Sequence, residues 1–196
     1  MVTNILAANG RRMILKKQQI LLVIGSMRKD SFNRQLAMAA KAMLEDRADV
    51  TVLSYADIPY MNQDIEFPAP ESVDHVRDQL KSADGVWIFT PEYNHSIPGV
   101  LKNLLDWLSR PLAEGEPPVA KGKKVTFCGA GGASGTACVQ DQLLLLLNYM
   151  EMEVMKGPRL AIPLTGEEFQ TSKLNLTGRH YKYLEQQAES FLNFVK

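Results

Sequence analysis

Five apolar runs, at residues 20–24, 50–53, 85–90, 124–128 and, more weakly, 154–155, alternate with five segments of helical periodicity, at residues 33–44, 73–82, 99–109, 135–150 and 174–194. This alternation constrains the fold more than any other feature, because a helix between two strands carries the chain back so that the strands run parallel. Runs such as "ILLVI" and "GVWIFT" are nearly continuous rather than alternating, the mark of strands covered on both faces. The pattern predicts one doubly wound α/β domain: a five-stranded parallel sheet in the order 2-1-3-4-5, with helices on both faces. At 196 residues the chain suits a single core over residues 19–196, with residues 1–18 read as an extension.

Charge and cysteine content narrow the partners. The 22 basic and 22 acidic residues cancel, and a pI of about 6.8 offers no broad field for a nucleic acid or an anionic membrane to follow. The five consecutive leucines at 143–147 fall far short of the roughly 20 apolar residues of a membrane helix and read as a buried helix segment. No signal-peptide h-region opens the chain, so a cytoplasmic location is expected. Cys128 and Cys138 form no C-x-x-C pair, and with only three histidines their spacing gives no zinc framework; no metal site is expected, and the two thiols read as reduced.

In a sheet of this order, ligands bind beyond the carboxyl ends of the strands, between the first and the third. The loop after strand one, "GSMRKDSFN" at 25–33, gathers hydroxyl, amide and cationic groups where a helix begins. Free backbone N–H groups and the positive helix end there suit an anion. Ser26 and Ser31 add hydroxyls, Asn33 an amide and Arg28 a guanidinium, together a cradle for a terminal phosphate. The plain alternative is a helix cap by Asp30 or Ser31. Neither a triphosphate loop nor a dinucleotide G-x-G-x-x-G is present, so a monophosphate is the better match.

The loop after strand three, "PEYNHSIPG" at 91–99, is stiffened by Pro91 and Pro98. Tyr93 offers an aromatic surface, and Glu92, Asn94 and Ser96 offer polar groups to the edge of a planar ring. The stretch "GAGGASGT" at 129–136 lets backbone pass close to a ligand on the same rim, though a tight turn would also account for it.

Taken together, "GSMRKDSFNR" and "FTPEYNHSIPGVLKNLLDWLSRP" resemble the flavodoxin-like NAD(P)H-dependent FMN reductases, a group that includes quinone, chromate and azo-dye reductases. The resemblance spans about residues 20–155. It implies non-covalent FMN, with NADPH or NADH as co-substrate. Carried onto matching positions, it assigns the phosphate to Ser26, Arg28, Ser31, Phe32 and Asn33, the ring to Pro91, Glu92, Tyr93, Asn94 and Ser96, and a border of the ring to Gly131 and Gly132. Where the family usually shows a paired glycine, this chain reads Ser134 and Gly135.

The resemblance further implies hydride transfer to the flavin and then reduction of a quinone, free flavin, azo compound or similar small acceptor, in a ping-pong cycle with no catalytic side chain. It also implies a homodimer or homotetramer, for which Trp107 and residues 143–147 are candidate contacts. Arg28 and Arg110 are candidates for the extra phosphate of NADPH. The competing readings are a flavodoxin-type electron carrier, disfavoured by the neutral charge, and an FMN-free binding module on the same fold.

Overall fold

The computed structural model describes residues 4–6, 12–14, 17–113 and 115–196. The extension expected over residues 1–18 lies mostly outside them. Within it, strands β1 (Asn4–Leu6) and β2 (Arg12–Ile14) pair antiparallel, with Ile5 opposite Met13.

The main sheet is parallel. Strands β3 (Gln18–Ile24), β4 (Ala48–Val52), β5 (Gly85–Phe89), β6 (Lys124–Gly131) and β7 (Glu153–Val154) take the order β4-β3-β5-β6-β7, the predicted 2-1-3-4-5 arrangement. A sixth strand, β8 (Leu160–Pro163), is absent from the sequence prediction. It pairs with the carboxyl half of β6, Cys128 opposite Leu160 and Gly131 opposite Pro163, whereas β7 pairs only with the amino end at Lys124 and Val125. The fifth position of the sheet is thus filled by two short strands in succession, with β8 carrying the chain to the ligand-binding rim.

Alternate side chains of each strand enter two cores. Leu21, Val23, Val86, Ile88, Val125 and Phe127 pack beneath α2 (Glu71–Ser82), α3 (Gly99–Leu108) and α4 (Ala137–Tyr149). On the opposite face Ile20, Leu22, Ile24, Trp87, Phe89 and Cys128 pack beneath α1 (Phe32–Leu44) and α6 (Gly178–Phe194). Trp87 and Phe89 stack with ring centroids 5.0 Å apart at the centre of this second core. Each fully buried Leu, Ile or Phe removes enough apolar surface from water to contribute roughly 1.5–3 kcal/mol before ordering entropy is subtracted.

Helix α1 buries Phe32, Leu36, Ala37, Ala40 and Leu44, one stripe at helical spacing. Ser31 caps it, its Oγ accepting from the Asn33 N–H at 3.2 Å. Helix α3 is tied down by residues of the second motif: Asn103 Nδ2 and Trp107 Nε1 both donate to the Pro59 carbonyl, at 2.9 and 2.8 Å. Trp107 is therefore a core residue and leaves no surface for a subunit contact. Leu143 and Leu147 are equally buried, whereas Leu145 faces out. No helix among the described residues is long and apolar enough to cross a membrane.

Candidate functional site

The carboxyl ends of β3, β5, β6 and β8 open onto one cavity of about 200 Å³. Its position follows from the sheet order: β3 and β5 are neighbours, but their following helices leave on opposite faces, which parts the two loops.

The first wall is the loop after β3. Ser26, Arg28, Ser31, Phe32 and Asn33 all line the cavity. Ser26 and Ser31 are buried, and the Arg28 N–H donates to Ser26 Oγ at 3.3 Å, folding the loop around the start of α1. The Arg28 guanidinium lies 5.5 Å from the centre of the Phe32 ring and donates to Ser172 Oγ at 2.5 Å. Asn33 differs from the expectation that its amide meets the anion. Both its polar atoms are taken by the backbone of Ala130 at the end of β6.

Pro91, Glu92 and Tyr93 form the second wall; Asn94 and Ser96 do not line the cavity. The loop turns back sharply after Tyr93, with Tyr93 and Ser96 exchanging backbone hydrogen bonds, and Asn94 and His95 take left-handed φ values of 51° and 57°. Ser96 holds this turn to α4 by donating to Gln142 Oε1 at 2.7 Å. The Glu92 carboxylate also turns toward α4. It accepts from the Val139 N–H at 3.0 Å and sits 3.1 Å from His95 Nδ1, favourable at the positive end of a helix. Tyr93 remains half exposed at the opening.

Ala130, Gly131 and Gly132 make the third wall. The loop expected from residue 129 begins later, because β6 runs on to Gly131. It can do so only with glycine: a Cβ at Gly129 would lie 2.0 Å from the Thr90 carbonyl oxygen and one at Gly131 2.3 Å from that of Gly135.

A fourth wall was missed from sequence. Leu164 follows β8, and Phe169 belongs to the short helix α5 (Gly166–Thr171). Phe169 meets Phe32 edge-on at 5.7 Å. The signal was present in "TGEE", a capping box in which Thr165 Oγ1 accepts from the Glu168 N–H and the Glu168 carboxylate accepts from the Thr165 N–H. Burial pushes the Glu168 carboxyl up, but hydrogen bonds from Thr165 and Asn175, with His180 nearby, outweigh it and leave the group below its ordinary range.

Two supporting groups complete the frame. Tyr55, buried after β4, donates to the Ile24 carbonyl at 2.6 Å, and burial pushes its phenol up. Arg110 is engaged by the buried Glu66 through two hydrogen bonds, Nε to Oε1 at 2.8 Å and Nη2 to Oε2 at 3.0 Å. That pairing ties the 59–70 segment to the end of α3.

A sequence model for the NADPH-dependent FMN reductases matches residues 18–167, which includes every wall of the cavity up to the start of α5. The chain belongs to this family. Among FMN reductase relatives, the quinone reductase of Escherichia coli K12 is 35% identical over 178 residues, covering 84% of this chain and 92% of that protein. A 2-hydroxy-1,4-benzoquinone reductase from a Burkholderia species is 39% identical over 145 residues, covering 74% and 78%. The solved structure of FerB, a flavoenzyme NAD(P)H:acceptor oxidoreductase from Paracoccus denitrificans, superposes with a TM-score of 0.78 at 30% identity, over 91% of this chain and 97% of that one. As a family member, the chain is an NAD(P)H-dependent flavin oxidoreductase.

Proposed function

We propose that this FMN reductase homologue reduces quinones at the expense of NADPH or NADH by a ping-pong cycle, with free flavins and azo compounds as further acceptors. The observation that carries the reading is the make-up of its cavity: an anion-receptive end at the start of α1, and a second end walled by proline, tyrosine and glycine backbone.

The first end fits the monophosphate of FMN. The N–H groups of the first turn of α1, the Ser26 and Ser31 hydroxyls and the Arg28 guanidinium converge there. Arg28 would exchange its present partner, Ser172 Oγ, for a phosphate oxygen. Asn33 acts through Ala130, fixing the distance between the first and third walls.

The second end fits a flat ring. Pro91 stiffens the backbone, Tyr93 presents an aromatic face at the opening, and Gly131 and Gly132 keep side chains out of the ring's path. Glu92 secures this wall to α4, and Ser96 fixes the turn behind it, so both position the loop rather than the ligand. Asn94, exposed on the turn, stands outside the cavity.

When bound, FMN would supply two-electron chemistry between a reduced nicotinamide and the acceptor. The chain's part is alignment and electrostatics: backbone N–H groups of the second and third walls would hold the ring's polar edge, with Tyr93 and Phe169, each half exposed, beside it. A shared opening used in turn is what alternating substrates require. Initial velocities with NADPH and 1,4-benzoquinone varied together test this: parallel double-reciprocal lines support the cycle, and intersecting lines contradict it.

We also propose a homo-oligomer of two or four chains. Leu145 and Tyr149, one turn apart on the outer face of α4 and 73% and 84% exposed, supply apolar area for a second copy to cover. Sedimentation showing only monomer at micromolar concentration contradicts this.

A further inference from the structure

The turn after the second wall brings together three groups that lie far apart in sequence. Glu92, His95 and Cys138 place one carboxylate oxygen, one imidazole nitrogen and one thiol sulfur all within 4.8 Å of one another. Cys138 comes from the first turn of α4 and the other two from the loop after β5, so sequence spacing does not disclose the set.

We propose that Glu92, His95 and Cys138 form a binding site for a borderline divalent metal ion of the Zn²⁺ class, with a fourth position open to water. Carboxylate, imidazole and thiolate are the three ligand types such an ion accepts. Ligand atoms on a tetrahedral zinc, at about 2.0–2.3 Å from the ion, lie roughly 3.3–3.8 Å from one another. Contraction of the present cluster by about an ångström therefore suffices, well within a side-chain rotation.

The site is held from behind. The Glu92 side chain is only 6% exposed, and one of its oxygens is fixed by the Val139 N–H. The His95 backbone is fixed, its carbonyl accepting from Gln142 Nε2 at 2.6 Å while the same glutamine accepts from Ser96, and its imidazole is 78% exposed. Cys138 stands in the first turn of α4, and its thiol is in no disulfide and is exposed. His95 and Cys138 do not line the flavin cavity; only Glu92 is shared with it.

The test uses the full chain loaded with FMN and freed of metal by chelator, with Zn²⁺ as the probe. Calorimetric titration is expected to find one Zn²⁺ per chain at micromolar affinity or tighter, weakened at least tenfold in Cys138→Ser and again in His95→Ala. Bound Zn²⁺ is expected to slow alkylation of Cys138, read by peptide mass spectrometry, and His95→Ala to lose that protection while keeping its melting temperature. Equal zinc binding by both variants and the parent, or alkylation of Cys138 at one rate with and without zinc, overturns the proposal.

Discussion

Asn33 and Ala130 bond each other twice: Asn33 Nδ2 donates to the Ala130 carbonyl at 2.9 Å, and the Ala130 N–H donates to Asn33 Oδ1 at 2.9 Å. A buried side-chain amide thereby joins the start of α1 to the last turn of sheet in β6, across the point where the helices part to opposite faces. The first and third walls of the cavity share this brace.

Asn33→Ala leaves a buried N–H and a buried carbonyl without partners, at about 1–3 kcal/mol for each group. Urea unfolding is expected to show a lower midpoint at unchanged slope. A midpoint equal to that of the parent would remove the brace from the account.

Arg28→Ala is expected to weaken FMN about 10- to 150-fold, the loss of one hydrogen bond to a charged group of roughly 1.5–3 kcal/mol. Arg28→Lys keeps the charge but loses the planar fork and should fall between the two. Fluorescence titration of the stripped protein with FMN checks the order, and equal affinities for all three would take Arg28 out of the phosphate site.

The Glu168 carboxyl is depressed in the folded chain because hydrogen bonds outweigh burial, so the stability it contributes is fully present above its unfolded value, about 4.3. It is lost as the pH falls through the lower folded value. Amides of α5 are therefore expected to exchange faster below about pH 4 once intrinsic rates are corrected, with Glu168→Gln showing little pH dependence. Exchange in the parent that stays constant down to complete unfolding contradicts this.

The two cysteines should differ sharply. Cys128 lies wholly buried against β5 and β8, and burial pushes its thiol up, whereas Cys138 is exposed. An aromatic disulfide reagent is expected to titrate one thiol per native chain and two after denaturation. Two fast thiols in the native protein would mean that the core of β6 opens readily.

Much of this was legible in the sequence because continuous apolar runs and helical periodicity report burial directly. The runs at 20–24 and 85–90 fell on β3 and β5, and their following loops supplied two walls of the cavity. What stayed hidden was set by contacts distant in sequence. β8 has only four residues and ends in proline, too short for a period, and it declares itself by pairing with β6. Phe169 enters the cavity only because α5 follows that strand. Asn33 and Ser96 were read as ligand contacts because their chemistry suits a ligand; their partners, Ala130 and Gln142, come from other elements.

The most direct test is an anaerobic titration of the FMN-loaded protein with NADPH, followed by one equivalent of 1,4-benzoquinone. The flavin absorbance is expected to bleach with one equivalent of NADPH and to return in full on addition of the quinone, while protein stripped of FMN consumes neither. A flavin spectrum unchanged by either NADPH or NADH, or a chain that retains no FMN at all, contradicts the account.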